Sequence, residues 1–242
     1  MEKNNLVIYN SGSKIIKADG VKIDPFSIWK LSNSEVIIGS ETFLGPFEQI
    51  KLENAILKIG NNVKIGAYCT ISAKGEPNNK ILINIGDDVR IDDYCNLQCF
   101  ANLDIGNKCH LWSGVSIVPF KKPFLFEERV TFGHNVIAAG RGPLIVKRYS
   151  MIGGLSMIIT ENHLYKELDK LVREQGFEEK GVFIGSDVWI GASVTVLDGS
   201  KINDKSVIGA SSLVKGETEK GGRYYGIPIK KSGGRASKSD TK

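Results

Sequence analysis

The sequence predicts an all-β solenoid, on three observations. Ile184, Ile190, Val196, Ile202, Ile208 and Val214 recur every six positions without a slip. Gly185, Gly191 and Gly209 each follow one of these aliphatics. Val188, Val194, Ser200, Ser206 and Ser212 fill the fourth place after the aliphatic. A period of six fits neither a lone amphipathic helix, near 3.6, nor a strand alternating by two. It fits three short strands per 18-residue coil, each sending one aliphatic into a shared core.

Taken in order, residues 1–14 hold one apolar run, Leu6-Val7-Ile8-Tyr9, and a turn at Asn10-Ser11-Gly12-Ser13. We read them as an N-terminal cap that protects the first layer of the stack. Ile15 to Trp29 is a loose first coil. Aliphatic triplets then follow at Ile38/Leu44/Ile50, Ile59/Ile65/Ile71, Ile85/Ile91/Leu97 and Ile105/Leu111/Ile117. Turn-rich Gly75-Glu76-Pro77-Asn78-Asn79 and Lys121-Lys122-Pro123 interrupt them. Phe126/Phe132/Ala138 is a degenerate triplet, and Val146/Ile152/Ile158 restores the pattern. A long loop, 159–183, precedes the regular stretch. This makes about eight to nine coils over a helix domain 15–216. The loop carries Leu164, Leu168, Leu171 and Val172 at near-helical spacing, which predicts a short helix. Residues 217–242 leave the repeat and end in a polar stretch from Ser232, too poor in apolar residues to pack.

The 242 residues, 41% of them hydrophobic, suffice for one main domain with a real core. A net charge of +5 sits largely near the end, at Lys230, Lys231, Arg235, Lys238 and Lys242, with no recognised nucleic-acid module behind it. An anionic small molecule accounts for that charge at least as well. Neither a signal peptide nor an integral membrane segment is seen, and a cytoplasmic location is expected. The four cysteines lack a C-x-x-C or paired metal spacing; Cys69, Cys95 and Cys109 occupy the small-residue slot of their hexads, so reduced structural thiols and no metal are expected.

The hexads Ile184-Gly185-Ser186-Asp187-Val188-Trp189 and Ile190-Gly191-Ala192-Ser193-Val194-Thr195 resemble the hexapeptide-repeat acyltransferases. Ile159-Thr160-Glu161-Asn162-His163, Glu174-Gln175-Gly176 and Gly226-Ile227-Pro228-Ile229-Lys230 are similar to segments of their sugar O-acetyltransferase branch, which includes maltose, galactoside and surface-polysaccharide acetyltransferases. The resemblance implies a left-handed parallel β-helix, a homotrimer with sites between subunits, and acetyl-CoA as co-substrate.

The chemistry needs a base for a hydroxyl proton and donors for a developing oxyanion. Imidazole suits the first role. Standing alone, His163 reads as a solvated loop residue; with Asn162 before it and Trp189 after it, the resemblance makes it the catalytic base. Glu161 is either its orienting partner or a solvated carboxylate. The resemblance places the Ala192 backbone N–H at the thioester oxygen and Trp189 and Gly191 beside the acetyl and pantetheine arm. It puts Ala210 and Ser211 along the channel, and Lys215, Lys230 and Lys231 near the phosphates. Gly233 falls where a further basic contact is expected. Asn162, His134 and Asn135 are candidates for the sugar acceptor, while His110 reads as structural.

Three alternatives stay open. N-acetylation of a nucleotide-linked amino sugar would survive loss of His163. Acetylation of an antibiotic resembles the same loop and Trp region. A non-catalytic scaffold would not bind acetyl-CoA. A zinc enzyme on the same helix would need closely spaced histidine ligands that His110, His134 and His163 do not supply.

Overall fold

The computed structural model describes residues 6–235. The chain winds through three faces in turn, and each face is a sheet of parallel strands, apart from one antiparallel strand that ends the third. Face A has ten strands, from Val7–Ser11 to Leu213–Val214; face B has nine, from Lys14–Lys17 to Lys201–Ile202; face C has eleven, from Lys22–Ile23 to Lys230–Gly234. Ten strands on face A exceed the eight to nine coils read from the hexads. The extra layers lie in residues 7–29, where Lys17 faces Ile38 and Ile23 faces Leu44, so the aliphatic code is broken at the open end.

Every triplet read from the sequence becomes a vertical stack. On face B, Ile38, Ile59, Ile85, Ile105, Phe126, Val146, Ile184 and Ile202 face one another coil to coil. All are buried, as are the matching columns on faces A and C. Removing such columns from water is the main force holding the solenoid together. The period of 18 holds only where it is most legible, at Ser186–Asp204. Earlier coils advance by 21 at Ser34–Ala55, 26 at Asn61–Asp87 and 20 at Asp87–Asn107. Longer strands and surface turns absorb the added residues without displacing the interior column.

Each corner needs one residue in left-handed backbone, and side chains often supply it. Phe26, Phe47, Tyr68 and Tyr94 hold φ between 58° and 67° at one corner of successive coils. Their rings stack in a ladder with centroids 4.7–5.3 Å apart, which offsets local backbone strain. The four cysteines are free and buried. Trp29 Nε1 and both carboxylate oxygens of Glu48 are buried without a hydrogen-bond partner in the first coils. Burial, with Cys69 beside it, pushes the Glu48 carboxyl up to about 10.

The N-terminal strand Val7–Ser11 is itself a rung, paired from Val7–Ile28 to Ser11–Ser32. At the far end, Gly222–Tyr225 continues face C and Lys230–Gly234 folds back antiparallel to it. Ser232 to Gly234, assigned above to the polar tail, therefore belong to a strand; 236–242 lie outside the described residues. Among the described residues no helix is long and apolar enough to cross a membrane.

Candidate active site

The long loop leaves face A after Ile159 and re-enters face B at Val182. It is a hairpin, not the expected helix. Asn162 and His163 pair antiparallel with Glu178 and Phe177, and a single 3-10 turn covers Val172–Glu174. Leu164, Leu168, Leu171 and Val172 are all exposed, so the helical spacing buries nothing. The tip is closed by Gln175, whose amide accepts from Glu167 N and donates to the Glu167 and Lys170 carbonyls. Gly176, at φ 87°, then turns the chain back so that its carbonyl accepts from Leu164 N.

His163 is exposed on this hairpin, its ring set against Phe177 at 4.4 Å. The Arg141 guanidinium lies 4.7 Å from the centre of the Phe177 ring and bonds Glu179 at 2.8 Å. Lys121 also bonds Glu179, and these two cations hold its carboxyl below the usual range. Asp198 anchors the loop's exit by accepting from Gly181 N at 2.6 Å and Lys180 N at 3.1 Å. These contacts fix a cavity of about 450 Å³ lined by Glu161, Asn162, His163, Lys180, Asp198 and Lys215. Its size is that of a small-molecule pocket. Glu161 does not bond His163: its Oε2 is buried 4.0 Å from Arg141 Nε, without a hydrogen-bond partner. Arg141, Phe177, Glu179 and Asp198 escaped the sequence reading because they act through tertiary contacts that no local motif records.

The remaining candidates occupy a different edge. Trp189 projects outward from face C and is 55% exposed. Gly191 is buried, and a Cβ there would lie 2.6 Å from Ala210 N, so the close stacking of these coils requires glycine. Ala192, Ala210 and Ser211 are exposed at the corner between faces C and A. Elsewhere in the solenoid the corner N–H is capped from the next coil, as Asp93 caps Ala67 at 2.8 Å and Asp204 caps Ser186 at 2.8 Å. One coil beyond Ala192 the equivalent residue is Ala210, which has no acceptor. Among the described residues the N–H groups of His134, Gly154, Ala192 and Ala210 have no protein partner, leaving a row of free donors along this corner. Lys230 and Lys231 lie at the end of face C, Lys231 paired with Glu219.

Further along face C, the outward row that contains Trp189 continues through Met151 and Thr131 to His110. His110 bonds Asp92 at 3.0 Å, Arg90 bonds the other Asp92 oxygen at 2.7 Å, and Trp112 stacks on His110. Burial alone would raise the Asp92 carboxyl; the bonds from Arg90 and His110 override it and hold the group low. His134 meets Trp112 edge-on at 4.8 Å, and Asn135 is exposed beside it. His110 is thus held in a polar cluster with Arg90, Asp92 and Trp112.

One chain therefore brings Glu161, Asn162, His163 and Lys215 together on the edge between faces A and B. It gathers Trp189, Ala192, Ala210 and Ser211 on the edge between C and A. The fold is a parallel β-helix with six-residue repeats and a hairpin loop that carries His163. Residues 181–216 match the bacterial transferase hexapeptide family (six repeats). It is 30% identical over 112 residues to an Escherichia coli protein named as a lipopolysaccharide biosynthesis O-acetyl transferase, WbbJ, covering 43% of this chain and 57% of that one. It is 25% identical over 130 residues to a Mycobacterium tuberculosis protein named as an acetyltransferase, Rv3034c, covering 54% of this chain and 43% of the relative. The chain spans about half the length of these curated relatives. Among solved structures, the polySia-specific acetyltransferase NeuO aligns over 98% of this chain and 90% of that chain, at 15% identity and TM-score 0.49.

Proposed function

We propose that this chain is an acetyl-CoA-dependent O-acetyltransferase acting on a sugar hydroxyl in bacterial surface polysaccharide, whether capsule, lipopolysaccharide O-antigen or exopolysaccharide. The observation that carries the reading is the pair of half-sites: a fixed, solvent-facing imidazole on one edge and a row of free backbone donors beside an exposed tryptophan on another. The named relatives, one of lipopolysaccharide biosynthesis, support the same class.

Two edges of one prism do not make one site. A second copy whose C/A edge meets the A/B edge of the first completes it, and three such contacts close a ring, so the working form is a homotrimer. No membrane span is needed, and the protein works in the cytoplasm, where acetyl-CoA is found.

The residues fit the co-substrate. Unpartnered N–H groups suit its amides and the acyl oxygen, and Lys215, Lys230 and Lys231 supply cations for phosphate. Acetyl-CoA, when bound, contributes an activated thioester. His163 accepts the sugar hydroxyl proton as the oxygen bonds to the acyl carbon, then returns that proton to the departing thiolate. The Ala192 N–H stabilises the charge that develops on the acyl oxygen. Glu161 acts through Arg141 and Phe177, which steady the imidazole. Asn162, and His134 and Asn135 from the facing edge, hold the acceptor. The test is acetyl-CoA consumption across free sugars, nucleotide sugars and polysaccharide fragments. Thiol release with at least one sugar hydroxyl acceptor is expected; none across the panel would refute the reading.

A further inference from the structure

A large cavity lies away from His163, on face A of the first coils. It is an open groove of about 1230 Å³. Strands there are five residues long, against two at the C-terminal end, so face A widens towards the N-terminus. Alternation sends Leu31, Leu52, Ala73 and Cys99 inward and leaves polar rows outward.

Tyr9, Lys30, Lys51, Ser72 and Gln98 form the central row, one per rung. Lys30 and Lys51 stand directly opposite each other on adjacent strands. Like charges so placed are destabilising. Elsewhere the solenoid pairs its surface charges, as Lys74 does with Glu53 at 3.4 Å and Lys14 with Glu35 at 4.0 Å. Among the described residues neither Lys30 nor Lys51 has a carboxylate within 4.0 Å; Lys30 has only the Tyr9 ring, at 5.9 Å. Stacked cations without counter-charge mark a place for an anion supplied from outside.

The flanking rows define which anion. They are rich in hydroxyl and amide groups, among them Ser32, Thr70 and Asn96, which both donate and accept hydrogen bonds. Tyr9 stands at one end, and Phe100, stacked on Phe120 at 5.4 Å, at the other, each offering an apolar ring to sugar C–H groups. Five rungs at strand spacing run for roughly 19 Å, longer than one sugar ring. Two unpaired cations, beside the Glu53–Lys74 ion pair and several neutral hydrogen-bonding groups, match sparse acidic groups on a hydroxylated polymer better than the dense charge of nucleic acid.

We propose that this groove binds an acidic polysaccharide, holding chain remote from the transferred acetyl group. The proposal deepens the sugar-acetyltransferase reading, yet binding here does not require transfer at His163. The polymer lies across the rungs, its acidic groups over Lys30 and Lys51 and its sugar faces against Tyr9 and Phe100.

Affinity electrophoresis of the full chain tests it, with polygalacturonate as acidic glycan, dextran as neutral glycan and single-stranded DNA as the competing polyanion. Polygalacturonate is expected to retard the protein more than dextran does. Lys30→Ser/Lys51→Ser is expected to weaken that retention at least tenfold, with thermal stability no lower than wild type and acetyl-CoA binding unchanged; Lys30→Arg/Lys51→Arg is expected to keep it. Retention unaffected by the serine variant, no preference over dextran, or tighter groove-dependent binding to DNA would overturn the proposal. If wild-type protein transfers acetyl to no sugar but still loses polymer binding in the serine variant, the catalytic reading fails and the groove stands.

Discussion

His163 rests against Phe177, their ring centroids 4.4 Å apart and their planes inclined by 42°. Arg141 covers Phe177 in turn and is tied to Glu179. The imidazole therefore packs directly on a hairpin partner, and the carboxylate two residues before it, 4.0 Å from Arg141 Nε, reaches it only through that chain of contacts.

Phe177→Ala should lower kcat by about 10- to 100-fold, since a small misplacement of a catalytic group costs that much. The acetyl-CoA KM should stay near wild type. Arg141→Ala should give a smaller loss of the same kind, and steady-state kinetics separate kcat from KM.

How much of this was legible in the sequence varies with how local the cause is. Ile85, Ile105 and Phe126 were readable as one column because each coil repeats the same interior slot, whatever its surface turns do. The first coil was not, since Lys17 holds that slot at an open end where burial makes no demand. The loop misled for a similar reason. A short amphipathic spacing is marginal as a helix unless something buries its stripe, and nothing covers Leu168, which is 96% exposed. His163 and Asn162 were nominated from a short motif; Arg141 and Phe177, which pack around His163 from other positions in the chain, have no motif to announce them.

If two protomers share each site, inactive variants should complement. His163→Ala and Trp189→Ala proteins, unfolded together and refolded as mixed trimers, should regain about a quarter of wild-type activity by random assortment of the two half-sites. Activity that stays at the level of the separate variants would mean that each chain carries its own complete site.

The free corner donor can be closed on purpose. Ala210→Asp places a carboxylate where Asp93 caps Ala67 N, and should capture the Ala192 N–H. Activity should fall by roughly 10²-fold or more as an oxyanion donor is lost, with no loss of thermal stability. Ala210→Val, which adds bulk without an acceptor, should cost less.

Glu48 makes stability depend on pH. Its carboxyl stays protonated in the folded chain up to about 10, whereas the unfolded chain releases that proton near the usual 4.5. The folded state thus binds the extra proton, and stability falls as pH rises through this window. Glu48→Gln should remove that dependence. Melting temperatures of the two proteins should diverge steadily from about pH 5 to pH 10 in favour of the variant, and parallel curves would show that Glu48 ionises freely.

The central claim is that His163 is the base for transfer to a sugar hydroxyl. It is tested most directly by thiol release from acetyl-CoA with a sugar acceptor, comparing wild type with His163→Ala. Calorimetry confirms that both bind acetyl-CoA. A fall in kcat of at least about 100-fold, with that binding intact, is predicted. A variant that keeps most of its activity would contradict the account, because an acceptor needing no base is an amine and not a hydroxyl.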